Sequence, residues 1–288
     1  MRSPLSPPKL IQWTAADGYV LSGRVWTPAQ TPARSPAVLY LHGIQSHGGW
    51  FEWSASLLAQ AGLAVILPDR RGSGLSAEAR GDTPAMERWL EDIDEVARWA
   101  TRELGAERFL LVGASWGGKL AAAWALREPG RVRALLLVAP GLYPRVGLGP
   151  LTVLKVVIAL LVHSTGMFPI PLRDAALFTD NPAGRAFIAG DPLALQEATA
   201  RFLHQSRRLD RLLLDADDGA LRPETLLLLA QRDRIIRNEP TVAWLERVTS
   251  GRCRVVTLPG ASHTLEFEQD SQYETVLREW AQEHARRA

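Results

Sequence analysis

A serine flanked by glycines is the sharpest chemical signal in this 288-residue sequence. The segment Gly113-Ala114-Ser115-Trp116-Gly117 follows the apolar run FLLV and precedes the alanine-rich run KLAAAWALR. A strand, a sharp turn and a helix in that order form a nucleophile elbow, in which glycines relieve crowding and the serine stands exposed in strained backbone geometry. The pattern predicts that Ser115 is the nucleophile of an acyl-transfer reaction; the alternative is a purely structural turn.

A serine hydroxyl needs a base within hydrogen-bond reach and a carboxylate that orients the base. Asp233 follows the apolar run TLLLLAQR, 118 residues after Ser115 (233 minus 115). His263 lies 30 residues further on (263 minus 233), in a loop after the run RVVTL. Residues that follow parallel strands meet at the carboxyl edge of a sheet, where the serine is also expected. We therefore predict Ser115, Asp233 and His263 as the catalytic residues.

Both partners of the serine have competitors. Asp233 could be a solvated loop carboxylate paired with Arg232 or Arg234, and other acidic residues compete with it although they precede the strand: Asp215, Asp217 and Asp218. The remaining histidines compete with His263: His42, His47, His163, His204 and His284. His163 and His204 fall in a segment interpreted below as a lid, and His284, in an arginine-rich terminal helix, is expected to be exposed to solvent.

Acyl transfer creates negative charge on the carbonyl oxygen, which preorganised backbone N–H groups stabilise. One donor is predicted to be the N–H of Trp116, directly after the nucleophile. The other is expected in the loop after the run AVLYL, which reads His42-Gly43-Ile44-Gln45. We predict the N–H of Ile44 as that donor, with His42 and Gly43 forming the oxyanion loop and His42 bracing it rather than serving as the base.

Alternating strand and helix patterns supply the frame for these residues. Asp17-Gly18 is a strong turn signal and predicts an antiparallel hairpin of residues 10–14 and 19–27. Short apolar runs, typical of parallel strands buried on both faces, then alternate with helical patterns. These runs are residues 37–41, 63–67, 109–112, 134–138, 225–230 and 254–258. The expected fold class is α/β, with a mostly parallel, doubly wound sheet of about eight strands.

The clearest helical pattern has apolar residues at spacings of three and four from Met86 to Leu104. Thr83 and Pro84 predict its start, as a capping residue followed by proline at the first helical position. Further helices are expected around residues 241–248 and from about 271 to 285.

The alternation stops between residues 141 and 222, where helical segments are broken by proline and glycine. We interpret 141–222 as an inserted helical lid over the carboxyl edge of the sheet, and 1–140 with 223–288 as the catalytic core. Within the insertion, residues 151–162 (LTVLKVVIALLV) are interrupted by Lys155 and are too short to span a bilayer. An ordinary buried lid helix is the expectation; the alternative is a helix that faces an acyl chain or a membrane surface.

Composition excludes several classes of function. The 33 basic and 31 acidic residues leave a formal charge of +2, too little for a surface that follows nucleic acid phosphates. Cys253 is the single cysteine, so an internal disulfide is excluded, and no Cys/His spacing fits a structural zinc site. No metal or organic cofactor is expected. The amino-terminal sequence does not read as a secretory signal, so the expected location is cytoplasmic.

Five segments together resemble the monoacylglycerol lipase and lysophospholipase-like (serine aminopeptidase S33-type) branch of the α/β-hydrolase superfamily: LHGIQSHGGW, LPDRRGSGLS, GASWGGK, AQRDRII and GASHTLEFE. The resemblance covers most of the chain outside the insertion. It implies the α/β-hydrolase fold and a nucleophile, acid and base at Ser115, Asp233 and His263. It also implies that the oxyanion loop begins at His42 and Gly43.

The resemblance implies a structural, non-catalytic role for a loop of pattern D-x-R-G-x-G-x-S, whose matching residues are Asp69, Arg71, Gly72, Gly74 and Ser76. The family usually has Met or Gln after the serine. Trp116 departs from this, as it does in proline iminopeptidase-like relatives, and its side chain should border the pocket. The serine separates the chain from haloalkane dehalogenases and epoxide hydrolases, whose nucleophile is Asp.

The expected function is hydrolysis of carboxylic esters, medium-chain or lipid-like as in a monoacylglycerol or lysophospholipid, through an acyl-enzyme. The expected partner is a small acyl ester, with transient contact between the lid and a lipid surface as a further hypothesis; no oligomeric state is indicated. A proline iminopeptidase-like peptidase is an alternative, although no HGGPG-like loop is found. An acyltransferase or perhydrolase would use the same residues, and a non-catalytic binding protein on this fold is a further alternative.

Overall fold

The strands in the computed structural model, which describes residues 2–28, 36–268 and 271–286, form one large sheet and one small one. In chain order they are β1 (Lys9–Thr14), β2 (Val20–Trp26), β3 (Ala37–Leu41), β4 (Val65–Pro68), β5 (Phe109–Ala114), β6 (Val132–Val138), β7 (Met167–Pro169), β8 (Glu197–Thr199), β9 (Glu224–Ala230) and β10 (Cys253–Leu258). The large sheet has the order β1-β2-β4-β3-β5-β6-β9-β10, and β7 pairs with β8.

The predicted mostly parallel sheet of eight strands is confirmed. Its neighbouring strands pair in parallel except for β2, which runs antiparallel to both β1 and β4. The hairpin predicted at Asp17-Gly18 is β1–β2. The residues of β3 and β5 are buried throughout, because helices cover both faces of the sheet centre.

The described helices alternate with the strands. They are α1 (Glu52–Gln60), α2 (Met86–Leu104), α3 (Trp116–Arg127), α4 (Pro150–Val162), α5 (Pro182–Gly190), α6 (Ala200–Leu214), α7 (Asn238–Thr249) and α8 (Ser271–Arg286). The sequence did not predict α1, because buried residues occupy nearly all its positions and leave little amphipathic periodicity.

The start of α2 differs from the prediction. The helix begins at Met86, and the hydroxyl of Thr83 donates to the carbonyl oxygen of Ala85 at 3.0 Å instead of capping the helix. The N–H of Met86 donates to Oε1 of Gln205 in α6 at 3.1 Å. The prediction of a cap at Thr83 and Pro84 was therefore wrong, because a tertiary contact satisfies the orphan donor.

The segment between β6 and β9 contains α4, α5 and α6 together with the β7–β8 pair, so it is not purely helical. Helix α6 packs against α2, α3 and α4. It therefore belongs to the helical layer over the sheet as well as to the insertion, and it returns the chain toward the start of β9. The division of the chain at residues 140/141 and 222/223 stays a prediction.

Helix α4 contradicts the expectation of a buried lid helix. Val156 is its buried residue, whereas Leu161 and Val162 are 85% and 81% exposed. Apart from Thr152 and Lys155 the segment is apolar around its circumference, so hydrophobic periodicity does not reveal which face packs on the molecule. Among the helices of the described residues, none has both the length and the apolar character that a bilayer crossing requires. The cytoplasmic location stays a prediction.

Candidate active site

Ser115 occupies a sharp turn between β5 and α3. Its backbone has φ 51° and ψ −124°, a conformation that residues other than glycine rarely adopt. Its N–H donates to the carbonyl oxygen of Val138 in the neighbouring strand β6 at 2.8 Å. A Cβ at Gly117 would lie 2.5 Å from the carbonyl oxygen of His42 and closer still to that of Leu41. The glycine therefore lets the elbow pack directly against the strand that carries the oxyanion loop.

We expect Gly117→Ala to lower the free energy of unfolding by roughly 1 to 3 kcal/mol or more, because the added methyl group overlaps two backbone oxygens that cannot move independently. Urea denaturation followed by tryptophan fluorescence measures this change. Gly130→Ala is the matched control, since a Cβ at Gly130 meets no atom within 4 Å. Equal stability of the two variants would contradict the close approach at the elbow.

The three predicted catalytic side chains lie in one hydrogen-bonded line. Nε2 of His263 is 2.9 Å from Oγ of Ser115, and Nδ1 of His263 is 2.8 Å from Oδ2 of Asp233. Asp233 and His263 are buried, and Ser115 is half-buried. With its Nδ1–H donated to the carboxylate, the imidazole presents Nε2 as the acceptor for the serine proton.

The second carboxylate oxygen of Asp233 is fixed by the backbone. Oδ1 accepts the N–H groups of Ile235 at 2.8 Å and Ile236 at 2.9 Å. Burial by itself raises the pKa of this carboxyl group, but His263 and the two backbone donors outweigh burial, so the pKa of Asp233 is lowered. The carboxylate is therefore ionised at neutral pH, as required to stabilise an imidazolium.

The competing acids lie at the opposite edge of the sheet. Asp215, Asp217 and Asp218 follow the end of α6 and precede β9, whereas Asp233 follows β9. Oδ1 of Asp218 pairs with Arg247 at 3.1 Å. These positions separate the three acids from Ser115 by the length of a strand.

The other histidines have surroundings that differ from those of His263. His163 and His204 are exposed, and His204 borders the cavity beside Ser115. His284 is 2% exposed and packs against the ring of Trp280 at 5.0 Å, so the expectation that it is exposed was wrong. The charged residues around it in the sequence concealed an inward-facing position on α8.

His42 is buried within the oxyanion loop. Its Nε2 accepts the N–H of Arg70 at 2.8 Å, and its Nδ1 lies 2.9 Å from the carbonyl oxygen of Gly43. Burial, reinforced by the charge of Arg70, holds the pKa of His42 well below its usual value. A neutral imidazole that joins two loops in this way braces them.

The two predicted oxyanion donors border the same cavity as Ser115. Trp116 is the first residue of α3, where backbone N–H groups have no acceptor within the helix. Ile44 lies in the loop after β3 and lines the cavity together with Ser115 and Trp116. A Cβ at Gly43 would lie 3.3 Å from Cβ of Ser115, so this loop approaches the serine closely.

The loop of residues 69–76 has the contacts of a structural element. Asp69 is fully buried, and its carboxylate accepts the N–H groups of Gly48 at 2.5 Å and Leu75 at 2.8 Å. The guanidinium of Arg71 donates to the carboxylate of Asp92 at 2.7 Å. The loop thus ties the chain after β4 to Gly48, which follows the predicted oxyanion loop, and to α2.

The side chain of Trp116 borders the cavity, as the resemblance implied. Its Nε1 donates to Oγ of Ser206 in α6 at 2.8 Å, and its ring contacts Trp89 at 4.8 Å and Phe202 at 5.7 Å between centroids. Trp116, the residue after Ser115, is therefore joined to the segment between β6 and β9. No local pattern could have identified Ser206, because the contact spans 90 positions.

A cavity of about 280 Å³ opens beside Ser115. Its walls include apolar side chains of α4, α6 and the loop after β9: Val153, Val156, Val157, Leu160, Leu203, Ile235 and Ile236. One part of the wall is charged, where Nζ of Lys119 lies 2.5 Å from Oδ1 of Asp210. This ion pair joins α3 to α6, so the cavity is mostly apolar with one polar corner.

Residues 45–50, at and just after the end of the predicted oxyanion loop, are tied to the segment between β6 and β9 at a second place. Nε2 of His47 lies 3.0 Å from Oδ2 of Asp191, and Nε1 of Trp50 donates to the same oxygen at 2.6 Å. The N–H of Leu195 donates to the carbonyl oxygen of Gln45 at 2.8 Å. Sequence reasoning missed Asp191, whose partners lie more than a hundred positions away.

The strand order, the elbow after β5 and the positions of the predicted acid and base after β9 and β10 are those of an α/β hydrolase, which is the class of the protein. It belongs to the serine aminopeptidase S33 family, whose model matches residues 32–270.

Similar proteins of named activity include two lipases. The monoacylglycerol lipase of Mycolicibacterium smegmatis is 26% identical over 83% of this chain and 84% of its own length, and the human monoglyceride lipase is 25% identical over 96% and 91%.

The uncharacterised Escherichia coli protein YnbC is 27% identical over 87% of this chain. The chain spans 43% of the length of YnbC and 12% of that of a similar abhydrolase domain-containing protein from Dictyostelium discoideum.

Solved structures agree on the fold. A soluble variant of the Saccharomyces cerevisiae monoglyceride lipase, in complex with a substrate analogue, has a TM-score of 0.82 at 18% identity over 99% of this chain and 98% of its own. The Paleococcus ferrophilus monoacylglycerol lipase has a TM-score of 0.79 at 22% identity over 92% and 99%. The comparisons confirm the resemblance to the monoacylglycerol lipase and lysophospholipase-like branch.

Proposed function

We propose that the protein hydrolyses carboxylic esters through an acyl-enzyme on Ser115, with His263 as the base and Asp233 as the group that orients it. The observation that carries this proposal is the line from Asp233 through His263 to Ser115, with hydrogen bonds of 2.8 and 2.9 Å. A serine and base at this separation are the signature of a hydroxyl activated for nucleophilic attack.

In the first half of the reaction, His263 removes the proton of Ser115 as Oγ bonds to the carbonyl carbon of the ester. The charge on the carbonyl oxygen is held by the N–H groups of Ile44 and Trp116. His263 then gives the proton to the departing alcohol as the ester bond breaks. In the second half, water loses a proton to His263 as it attacks the acyl-enzyme. The bond between the acyl carbon and Oγ then breaks, His263 returns the proton to Ser115, and the carboxylic acid is released.

The proposed substrates are medium-chain or lipid-like esters of the monoacylglycerol or lysophospholipid type. The apolar cavity walls beside Ser115 support an acyl chain in this space. The lipase names of several relatives support the same substrate class. An acyl chain would displace water from the valine and leucine side chains of α4.

The test is hydrolysis of p-nitrophenyl esters from two to sixteen carbons, together with a monoacylglycerol and a lysophospholipid. We expect activity to rise from the acetyl ester to an optimum at medium or longer chains. Activity that is highest on the acetyl ester and falls with chain length would overturn the lipid-like substrate. Turnover of prolyl p-nitroanilide without turnover of any ester would instead favour the peptidase.

The outer face of α4 is proposed to contact a lipid surface transiently. Its exposed residues are Leu151, Leu154, Ile158, Leu161 and Val162. Val153 and Val157 are about half exposed and also line the cavity, so this surface is continuous with the proposed acyl site. Lys155 in the same helix suits a surface of anionic headgroups.

We expect the double variant Leu161→Asp/Val162→Asp to bind vesicles of phosphatidylcholine and phosphatidylglycerol more weakly by about tenfold or more. Burying each of the two wild-type side chains in lipid contributes about 1.5 to 3 kcal/mol, and the variant loses both contributions. Vesicle co-sedimentation measures binding. Leu212→Asp is the control, because Leu212 is an exposed leucine near the far end of α6. Equal vesicle binding by both variants, with unchanged hydrolysis of a short soluble ester, would contradict a lipid-facing α4.

A further inference from the structure

Arg70 is a buried cation whose hydrogen bonds go to carbonyl groups. It follows Asp69 in the loop after β4 and is 8% exposed. Its Nη1 donates to the carbonyl oxygen of Gly43 and its Nη2 to that of Ile44, both at 2.9 Å. Its Nε has no hydrogen-bond partner among the described residues. A buried arginine usually binds a carboxylate, so this arrangement needs another explanation.

The carboxylate of Asp69, the nearest in sequence to Arg70, binds other groups. Asp69 accepts the N–H groups of Gly48 and Leu75 and a long contact of 3.3 Å from Arg24. The guanidinium of Arg70 instead lies over the rings of Trp116 at 4.7 Å and Phe202 at 5.4 Å. These aromatic faces hold the cation against the oxyanion loop.

The carbonyl group that Arg70 Nη1 binds belongs to the same peptide unit as the N–H of Ile44. A cation on a peptide carbonyl draws electron density from the whole amide group and makes its N–H a stronger donor. His42 Nδ1 lies 2.9 Å from the same oxygen, so two side chains act on this one peptide unit. Burial lowers the pKa of Arg70 to about 9 despite the opposing charge of Asp69, which leaves the guanidinium charged at neutral pH.

We propose that Arg70 is a positioning residue that fixes the Gly43–Ile44 peptide unit and strengthens the Ile44 N–H for the oxyanion. The inference rests on the proposed function, because it concerns the oxyanion of that reaction. It predicts an effect on the charged tetrahedral state and little effect on binding of the neutral substrate. A purely structural Arg70 would instead affect folding, or the affinity for all ligands alike.

The experiment compares Arg70→Met, which keeps an apolar stem between the rings, with Arg70→Lys, which keeps the charge. Arg131→Met is the matched control, because Arg131 also lies over two aromatic rings, at 5.4 Å, but precedes β6 at the opposite edge of the sheet. Three kinds of measurement are made: kcat and KM on the preferred ester, the rate of labelling by a fluorophosphonate, and the inhibition constants of a trifluoromethyl ketone and of its non-reacting alcohol.

For Arg70→Met we expect kcat and the labelling rate to fall about tenfold to a hundredfold, with KM within about twofold. The fall in kcat should not exceed the fall that follows removal of a whole oxyanion donor. The trifluoromethyl ketone, which forms a charged adduct with the serine, should weaken by a similar factor while the alcohol binds unchanged. Arg70→Lys should recover part of each loss, and Arg131→Met should behave as the wild type.

Wild-type labelling and ketone affinity in a folded Arg70→Met would overturn the role of Arg70. So would equal weakening of the ketone and the alcohol. If Arg70→Met does not fold, Arg70→Gln, which keeps donors without charge, is judged by the same criteria. Failure of the wild type to react with the fluorophosphonate would overturn the proposed function itself and is therefore distinguishable from failure of this inference.

Discussion

Ser115→Ala is expected to lower kcat for ester hydrolysis about a millionfold, by analogy with removal of the nucleophile in other serine hydrolases. The loss follows because no other hydroxyl in the line from Asp233 through His263 can form the acyl-enzyme. Melting should be nearly unchanged, since alanine meets the same backbone strain as serine at φ 51°. Initial rates at high enzyme concentration and a thermal melt measure the two properties.

Ser250→Ala is the matched control for this substitution. Ser250 also has a positive φ, of 50°, but ends α7 away from the cavity. It should retain wild-type turnover. Residual activity of Ser115→Ala within about a hundredfold of the wild type would remove Ser115 from its role, because the oxyanion donors and binding alone supply only a small part of the acceleration.

Asp233→Asn is expected to lower kcat about 10⁴-fold while the fold is retained. The carboxylate accepts the Nδ1–H of His263 on one oxygen and two backbone N–H groups on the other. An amide that keeps the two backbone bonds must turn its NH₂ group toward the imidazole. His263 would then accept that NH₂ on Nδ1 and carry its single ring proton on Nε2, the atom that has to accept the proton of Ser115.

The same substitution has a pH-dependent effect on stability. The pKa of Asp233 is lowered from 3.8, so the ionised carboxylate stabilises the folded protein above that pH, and this contribution is lost as the pH falls through the lower folded value. The difference in unfolding free energy between the wild type and Asp233→Asn should therefore shrink as the pH is lowered below about 4. Urea titrations between pH 3 and 7 measure it.

Asp218→Asn provides the control for the acid, because Asp218 was one of the competing carboxylates and is 78% exposed in its side chain. Its turnover should stay within about twofold of the wild type, as for most surface substitutions. A large loss in Asp218→Asn together with near-normal activity of Asp233→Asn would show that the acid was assigned wrongly.

The parts of the fold and the site that sequence could predict are those with local signals. The buried strands are short apolar runs, and the elbow has glycines on both sides of Ser115. Asp233 and His263 each follow such a run, so the rule that strand ends meet at one edge of a parallel sheet was enough to bring them together.

Features that depend on distant partners could not be predicted in this way. The first N–H of α2 binds Gln205, and His47, just after the predicted oxyanion loop, binds Asp191. Arg70 reaches the predicted oxyanion loop only because β4 lies beside β3. The exposure of α4 was missed for a different reason. A helix with apolar residues on nearly every side has no hydrophobic periodicity that would show which side the molecule covers.

The two contacts of α6 with α3 limit where the segment between β6 and β9 can be exchanged for that of another hydrolase. Ser206 and Asp210 join α6 to Trp116 and Lys119 of α3, and the same helix carries the chain back to β9. A chimaera with its breakpoints near residues 141 and 199 would therefore keep the α6 wall of the cavity beside Ser115. Moving the second breakpoint to residue 222 would replace α6 and lose both contacts.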